Sequence, residues 1–287
     1  MSDIDVKVDS LIAAYLNINS LRPEVLFRHF LPTGYKHTTL DSVASDLFQS
    51  VIYAKIHLGM IITLYDDFAD HPKYRNSQLL KHLYQLNVDA DKPAPIELSG
   101  EELKNYVLAR VLFSSLTKVL ETFPHYQTLL PALRFDIEQF YSCNRHSELM
   151  ALIPSIRNLT ESRVLGPHNM GIVAAGTIDL MASPAMDLAE LGICREAFHL
   201  GQRLGRTSNL IYTLQRELRE GDSTNEILIS MQTRKSDETK YQSQLMREFA
   251  QHLEEIRAQE IGSFSSAVYA DGFTKLHDLH ASLLGEI

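Results

Sequence analysis

Apolar residues recur at intervals of three and four along most of the chain. The pattern is clear in LDSVASDLFQSVIYAKIHLGMIITLY (40–65), EELKNYVLARVLFSSLTKVLETF (101–123), LLPALRFDIEQFYSCNRHSELMALI (129–153) and REFAQHLEEIRAQEIGSFSSAVYA (247–270). That period lines one face of an α-helix, whereas the strict alternation of a strand is scarce. The predicted fold is all-α: a single-domain helical bundle of about ten helices spanning residues 1–287. Ser99, followed three residues later by Glu102, predicts a capping box that opens a helix after the loop NVDADKPAPIEL. Ser183 followed by Pro184 predicts another helix start. No internal repeat or low-complexity tract divides the chain.

The run SVIYAKIHLGMIITL (50–64) is almost wholly apolar and reads as a buried helix, yet it ends on YDDFADHP. Asp66, Asp67 and Asp70 are therefore crowded at a helix C-terminus, which already carries partial negative charge. Like-charge repulsion adds to that cost unless a cation meets the cluster. A second polar constellation lies downstream in NLIYTLQRE, where Asn209, Thr213 and Glu217 stand at i, i+4 and i+8. At about 3.6 residues per turn these three share one stripe. An amide carbonyl, a hydroxyl and a carboxylate make a hard-oxygen set suited to Mg²⁺, which often shares its coordination with a substrate phosphate.

The net charge of −9 and pI near 5.7 argue against nucleic acid as a partner. Cys143 and Cys194 have no paired spacing, so neither a disulfide framework nor a zinc site is expected, and a reducing cytoplasm fits. The N-terminus lacks the pattern of a secretory leader, and Lys55 and His57 interrupt the most apolar run, so no membrane span is expected.

The pairing of DDFAD with NLIYTLQRE, continued by LREGDSTNEILI, resembles the aspartate-rich and N-x-x-x-[ST]-x-x-[KR]-E motifs of class I terpene synthases of the short microbial type. Gly221, Asp222 and Asn225 are similar to that family's G-D-x-x-N continuation. Arg163, 46 positions before Asn209, stands where the family carries a diphosphate-sensing arginine. The resemblance implies a helical bundle with a central active-site cavity, in which three Mg²⁺ ions hold the diphosphate of an allylic prenyl substrate. That substrate is of the farnesyl or geranylgeranyl type, or a pre-cyclised diterpenyl diphosphate, and the products are a terpene and pyrophosphate.

It further implies Asp66 and Asp70 as metal ligands with Asp67 supporting them, Asn209, Thr213 and Glu217 as ligands of another metal, and Arg163 and Arg216 as diphosphate donors. The helix LGPHNMGIVAAGTIDLMA after Arg163 is expected to be kinked by Gly166, Pro167, Gly171 and Gly176, with carbonyls turned toward a carbocation. Two departures stand out. Leu210 follows the motif asparagine where the family has Asp, and no Arg-Tyr pair occurs near the C-terminus, where Lys275 is the candidate substitute. Tyr53, Tyr65, Phe68 and Tyr212 lie beside the motifs, either to face a cation or as core aromatics. His277 and His280, at i and i+3, are a metal pair or, with more weight, surface residues. The rival functions are a chain-elongating or head-to-head condensing prenyltransferase and a non-catalytic helical interaction protein. Oligomeric state stays open, a homodimer included.

Overall fold

The computed structural model describes residues 3–18, 22–87, 92–221 and 224–283. Among these residues all regular structure is helical. In chain order the elements are α1 (Asp3–Ile18), a π-helical turn (Leu26–Phe30) running into α2 (Leu31–Thr38), α3 (Phe48–Ala69), α4 (Ser77–Leu83), α5 (Gly100–Leu120), α6 (Tyr126–Leu152), α7 (Leu159–Leu165), α8 (Ile172–Met181), α9 (Leu191–Glu220), α10 (Glu226–Arg234), α11 (Glu238–Arg257) and α12 (Ser266–Leu283). No helix among the described residues is long and apolar enough to cross a membrane. Both cysteines are buried and free.

The centre of the bundle is α3, because its sequence leaves it no polar face over three turns. Every residue from Val51 to Ile61 is buried, as expected of a helix that is hydrophobic all round. It packs against α2, α5, α6 and α8, and α8 in turn packs against α9, which also carries α11 and α12. The two motif helices, α3 and α9, are thus tied together through α8.

The lysine that breaks the apolar run is itself in the core. Lys55 Nζ lies 2.6 Å from the Asp179 carboxylate on α8, and neither side chain is more than 1% exposed. Lys55 also donates to Thr39 Oγ1 at 2.9 Å, and the Leu40 N–H donates to Asp179 at 3.1 Å. Burial drives the Lys55 pKa down and that of Asp179 up to about 6, while their mutual attraction opposes both shifts. The pair fixes α3, α8 and the end of α2 in one arrangement.

Three sequence expectations need correction. Ser99 does precede α5, but its hydroxyl caps nothing, because Glu102 is drawn away to accept from Asn76 Nδ2 at 2.7 Å, the residue whose Oδ1 caps α4. Ser183 starts no helix; its hydroxyl donates back to the Asp179 carbonyl, and the cap further on is Asp187, before the short turn Leu188–Glu190 that leads into α9. The stretch 247–270 is not one helix but the end of α11 and the beginning of α12, separated by a turn at which Glu190 accepts from the Gly262 and Ser263 N–H groups.

The Lys55–Asp179 pair predicts a non-additive mutant cycle. Lys55→Met leaves a buried carboxylate alone and should lower the unfolding free energy in urea by about 3–5 kcal/mol, whereas Lys55→Met with Asp179→Leu should recover most of that loss. A loss in the double variant equal to the sum of the losses in Lys55→Met and Asp179→Leu would show that the pair is not coupled.

Candidate active site

The acid-rich end of α3 opens into a cavity of about 190 Å³, room for on the order of ten water molecules or more. One face of α3 supplies Gly59, Ile62, Thr63, Asp66 and Asp70 in order, so this wall passes from apolar to acidic over about 16 Å at about 1.5 Å per residue. The opposing wall is α9, with Arg206, Asn209, Arg216, Glu217 and Glu220. Cys143, His146, Ser147 and Met150 come from α6, and Arg22, Leu26, Phe30, Leu31 and Tyr35 from the segment before α3. The fold therefore brings Asp66, Asp70, Asn209, Arg216 and Glu217 to one space. Thr213 is 1% exposed and lies behind that wall.

Charge compensation at the end of α3 comes from Arg22. Its Nη2 lies 2.7 Å from Asp67 Oδ1 and 3.3 Å from Asp66 Oδ2, and its Nε donates to Asp67 Oδ1 at 2.8 Å. Asp67 is fully buried, and its Oδ2 has no donor. Burial raises the Asp67 pKa to about 6; Arg22 works against that rise and Asp66 adds to it. Asp66 faces the cavity and accepts from Asn169 Nδ2 at 2.6 Å.

Asn169 belongs to a tight turn, Gly166–Met170, that separates α7 from α8. The helix expected after Arg163 is broken here. Gly171 follows at φ 62°, in the left-handed region that favours glycine, and a Cβ there would meet Ile62 Cδ1 at 2.1 Å and force that side chain to shift.

On α9 the predicted stripe is internally bonded. Thr213 Oγ1 donates to Glu217 Oε1 at 2.7 Å and also reaches the Asn209 carbonyl, while Asn225 Nδ2 donates to Glu217 Oε2 at 2.7 Å. Both Glu217 oxygens are thereby oriented. Asn225 is 2% exposed and caps α10 through its Oδ1; Gly221 takes the left-handed conformation that ends α9, and Asp222 lies outside the described residues. Leu210 is 1% exposed in an apolar cluster with Met150, Leu159, Leu214 and Ile227, so its side chain packs away from the stripe.

Several sequence-predicted residues are not brought to the cavity. Arg163 lies in a separate cleft with Arg203, Arg234 and His252, held by Glu248 on α11 and by Glu226 at 3.5 Å. The reason is Glu226, which is buried at the start of α10 with Tyr241 donating to it at 2.5 Å and needs a positive neighbour. Lys275 is exposed and does not line the cavity.

Nor do Tyr53, Tyr65, Phe68 and Tyr212; Tyr65 stacks with Phe140 and Tyr141 in the core, and the aromatic lining is Phe30 and Tyr35 instead. His277 and His280 are not surface residues: His277 bonds Ser208 and Tyr212, and His280 is buried, lines the cavity and meets the Phe30 ring edge-on. Burial lowers the His280 pKa to about 3, so its imidazole is neutral. Burial likewise pushes the Cys143 thiol up to about 12, which keeps it protonated.

Arg22 and Arg206 were missed by sequence reading. Arg206 carries a signal, since it precedes Asn209 by one helical turn on the same face; Arg22 carries none, being more than forty positions from its partners.

Among the described residues no three His, Cys, Asp or Glu side chains form a ready-made metal cage. Mg²⁺ is commonly held by one or two carboxylates together with substrate phosphates rather than by such a cage. Hard oxygens offered from two walls, Asp66 and Asp70 against Asn209 and Glu217, with the orphaned Asp67 Oδ2 behind them, fit that chemistry.

No protein-family model matches the sequence, and no curated protein sequence matches it. Solved structures of isoprene synthase from grey poplar (Populus x canescens) do match in fold. One, in complex with three Mg²⁺ ions and dimethylallyl-S-thiolodiphosphate, aligns with 96% of this chain and 54% of its own at TM-score 0.71 and 11% identity. A second structure of that enzyme aligns with 96% of this chain and 52% of its own at TM-score 0.71 and 10% identity. The chain spans about half the length of the structures it matches. At this identity the likeness is one of fold, and the fold is that of class I terpene synthases.

The raised Asp67 pKa has a definite sign in stability. The folded protein holds this proton more tightly than the unfolded chain, whose value is near 3.8, so the contribution is full below about pH 4 and is lost as pH rises through about 6. Between pH 4 and pH 7 in the absence of divalent cations, the unfolding free energy of wild type should fall relative to Asp67→Asn by about 2 kcal/mol. A difference independent of pH would mean that Arg22 keeps Asp67 ionised throughout.

Proposed function

We propose that the protein is a Mg²⁺-dependent terpene synthase that ionises an allylic prenyl diphosphate, releasing pyrophosphate and a terpene. One observation carries this reading: two hard-oxygen groups on separate helices, Asp66 with Asp70 and Asn209 with Glu217, line one cavity together with the apolar side chains of Leu26, Phe30, Leu31, Ile62 and Met150. The likeness in fold to isoprene synthase supports it. An acidic pair facing an amide and a carboxylate suits a diphosphate held with divalent cations, and the apolar side chains of Leu26, Phe30, Leu31 and Ile62 suit a prenyl tail.

Magnesium, when bound, neutralises charge that develops on the departing pyrophosphate. Asp66 and Asp70 would hold it from α3, and Asn209 and Glu217 from α9, with Thr213 orienting Glu217 from behind the wall. Glu217 presents both oxygens in set directions because Thr213 and Asn225 donate to them. Asp67, locked by Arg22, fixes the last turn of α3 from behind. Arg216 places a guanidinium beside Glu217 and Glu220, where its fork can reach diphosphate oxygens. The apolar side chains of Leu26, Phe30, Leu31 and Ile62 would shield a cation formed on the tail from water, and the neutral His280 adds no positive charge beside it.

Incubation with Mg²⁺ and geranyl, farnesyl or geranylgeranyl diphosphate tests the proposal. A cyclic or linear terpene supports it; a longer prenyl diphosphate would indicate a condensing enzyme, and no turnover of any prenyl diphosphate would overturn it.

Two variants test the assignment of the α9 stripe. Glu217→Gln replaces an anionic oxygen and turns an amide N–H toward one of its two donors, so it should raise the Mg²⁺ concentration for half-maximal activity by about tenfold or more. Leu210→Asp should instead lower the melting temperature, because it buries a carboxylate without a partner, and leave the Mg²⁺ requirement of the folded fraction unchanged. The reverse pattern in a magnesium titration would put the ligand stripe on the wrong face of α9.

A further inference from the structure

We propose that the cleft along the neighbouring face of α9 is a second binding site, separate from the acid-lined cavity, that takes a phosphate or diphosphate group on Arg203 and Arg234. It does not depend on the terpene synthase reading. The first observation is the build of the cleft. Its volume is about 520 Å³, within the range of about 300–1,000 Å³ common to small-molecule sites. Four helices wall it, with Arg163 from α7, Arg203 and Thr207 from α9, Arg234 from α10 and His252 from α11.

The second observation is its charge. Arg163, Arg203, Arg206 and Arg234 line the cleft against only two carboxylates, Glu226 and Glu248. Arg163 takes both of them. Among the described residues none of the other three guanidinium groups stands within ion-pair distance of a carboxylate. Like charges gathered without a counter-ion repel one another, so the cleft is locally positive on a chain whose net charge is −9, and a bound anion relieves that repulsion. Arg206 also borders the cavity and bonds Asn209 there, so it is left out of the site. Arg203 and Arg234 border the cleft and not the cavity.

The third observation is His252. Its Nδ1 is buried and has no hydrogen-bond partner. Burial lowers its pKa, and Arg203 and Arg163 lower it further against the pull of Glu255 and Glu248, so the imidazole is neutral. An oxygen of a bound anion would satisfy an N–H on that nitrogen. The planar fork of a guanidinium matches phosphate oxygens two at a time, which sets the ligand class. Val164, Pro167 and Leu245 give the same cleft an apolar side, against which the remainder of an organic ester would lie.

Titration calorimetry of the full chain with inorganic pyrophosphate in EDTA tests the proposal. Without divalent cations the carboxylates of Asp66, Asp70, Glu217 and Glu220 keep an anion out of the cavity, so saturable one-to-one binding reports the cleft. Arg203→Gln and Arg234→Gln, both at exposed positions, should each weaken that binding by about tenfold, and Arg216→Gln, in the cavity, should leave it within about twofold of wild type. Circular dichroism establishes that each variant is folded. Where Arg203→Gln does not fold, Arg203→Lys keeps the charge without the fork and should still bind several-fold more weakly. Inorganic phosphate and hexyl phosphate as further probes distinguish the sources of the group: tighter binding of hexyl phosphate marks an organic ester, equal binding the free anion, and either supports the site. Wild type that binds no pyrophosphate in EDTA overturns the proposal, as does binding that survives both cleft variants or is lost in Arg216→Gln. Failure of the terpene synthase reading would show instead as absent turnover with Mg²⁺ and would leave the metal-free binding in place.

Discussion

The clamp of Arg22 on Asp67 and Asp66 is the interaction on which the acid-rich end of α3 depends. The helix dipole penalises a carboxylate there by only about 0.3–1 kcal/mol. A buried carboxylate with no partner costs about 3–5 kcal/mol, so the fully buried Asp67 decides the balance. With Asp67 anchored inward, Asp66 and Asp70 can face the cavity, and the chain segment entering the π-helical turn is held over the end of α3. Arg22 thereby also places Leu26, Phe30 and Leu31 on the cavity wall.

The same rule of compensation organises the other side of the cavity. Glu217 is met by Thr213, Asn225 and Arg216, and Asp66 by Asn169 from the turn between α7 and α8. Asp66 and Glu217 are thus each tied to a neighbouring element, which is how a change of charge in the cavity would reach α10 through Asn225 and the broken helix through Asn169. Away from the cavity, Lys55 and Asp179 do for the bundle centre what Arg22 does for its end. Both pairs join elements distant in sequence, and both are too buried to be exchanged for water.

Periodicity made the all-helical fold legible, because each helix must turn one apolar face inward and that face repeats every three to four residues. The acids of α3 and the stripe of α9 were legible for a similar reason: residues a turn apart on one helix share a face whatever the rest of the chain does. Helix boundaries were less so. Ser99 and Ser183 carry good capping chemistry, but Glu102 bonds Asn76 and Ser183 bonds Ser42, tertiary partners that local sequence does not encode.

Arginine placement marks the limit most clearly. A guanidinium on a long flexible stem goes to whichever carboxylate the fold leaves buried, so Arg163 serves Glu226 and Glu248 although its spacing points to the cavity, and Arg22 serves Asp67 from more than forty positions away. Likewise Tyr65 became core and Phe30 became lining, since aromatic type alone does not say which way a helix is turned. By itself the sequence determined the helices and the two oxygen-bearing faces. Only the tertiary structure decided which cations meet those oxygens and which side chains wall the cavity, because those are contacts between helices far apart in the chain and depend on the angle and register at which the bundle closes.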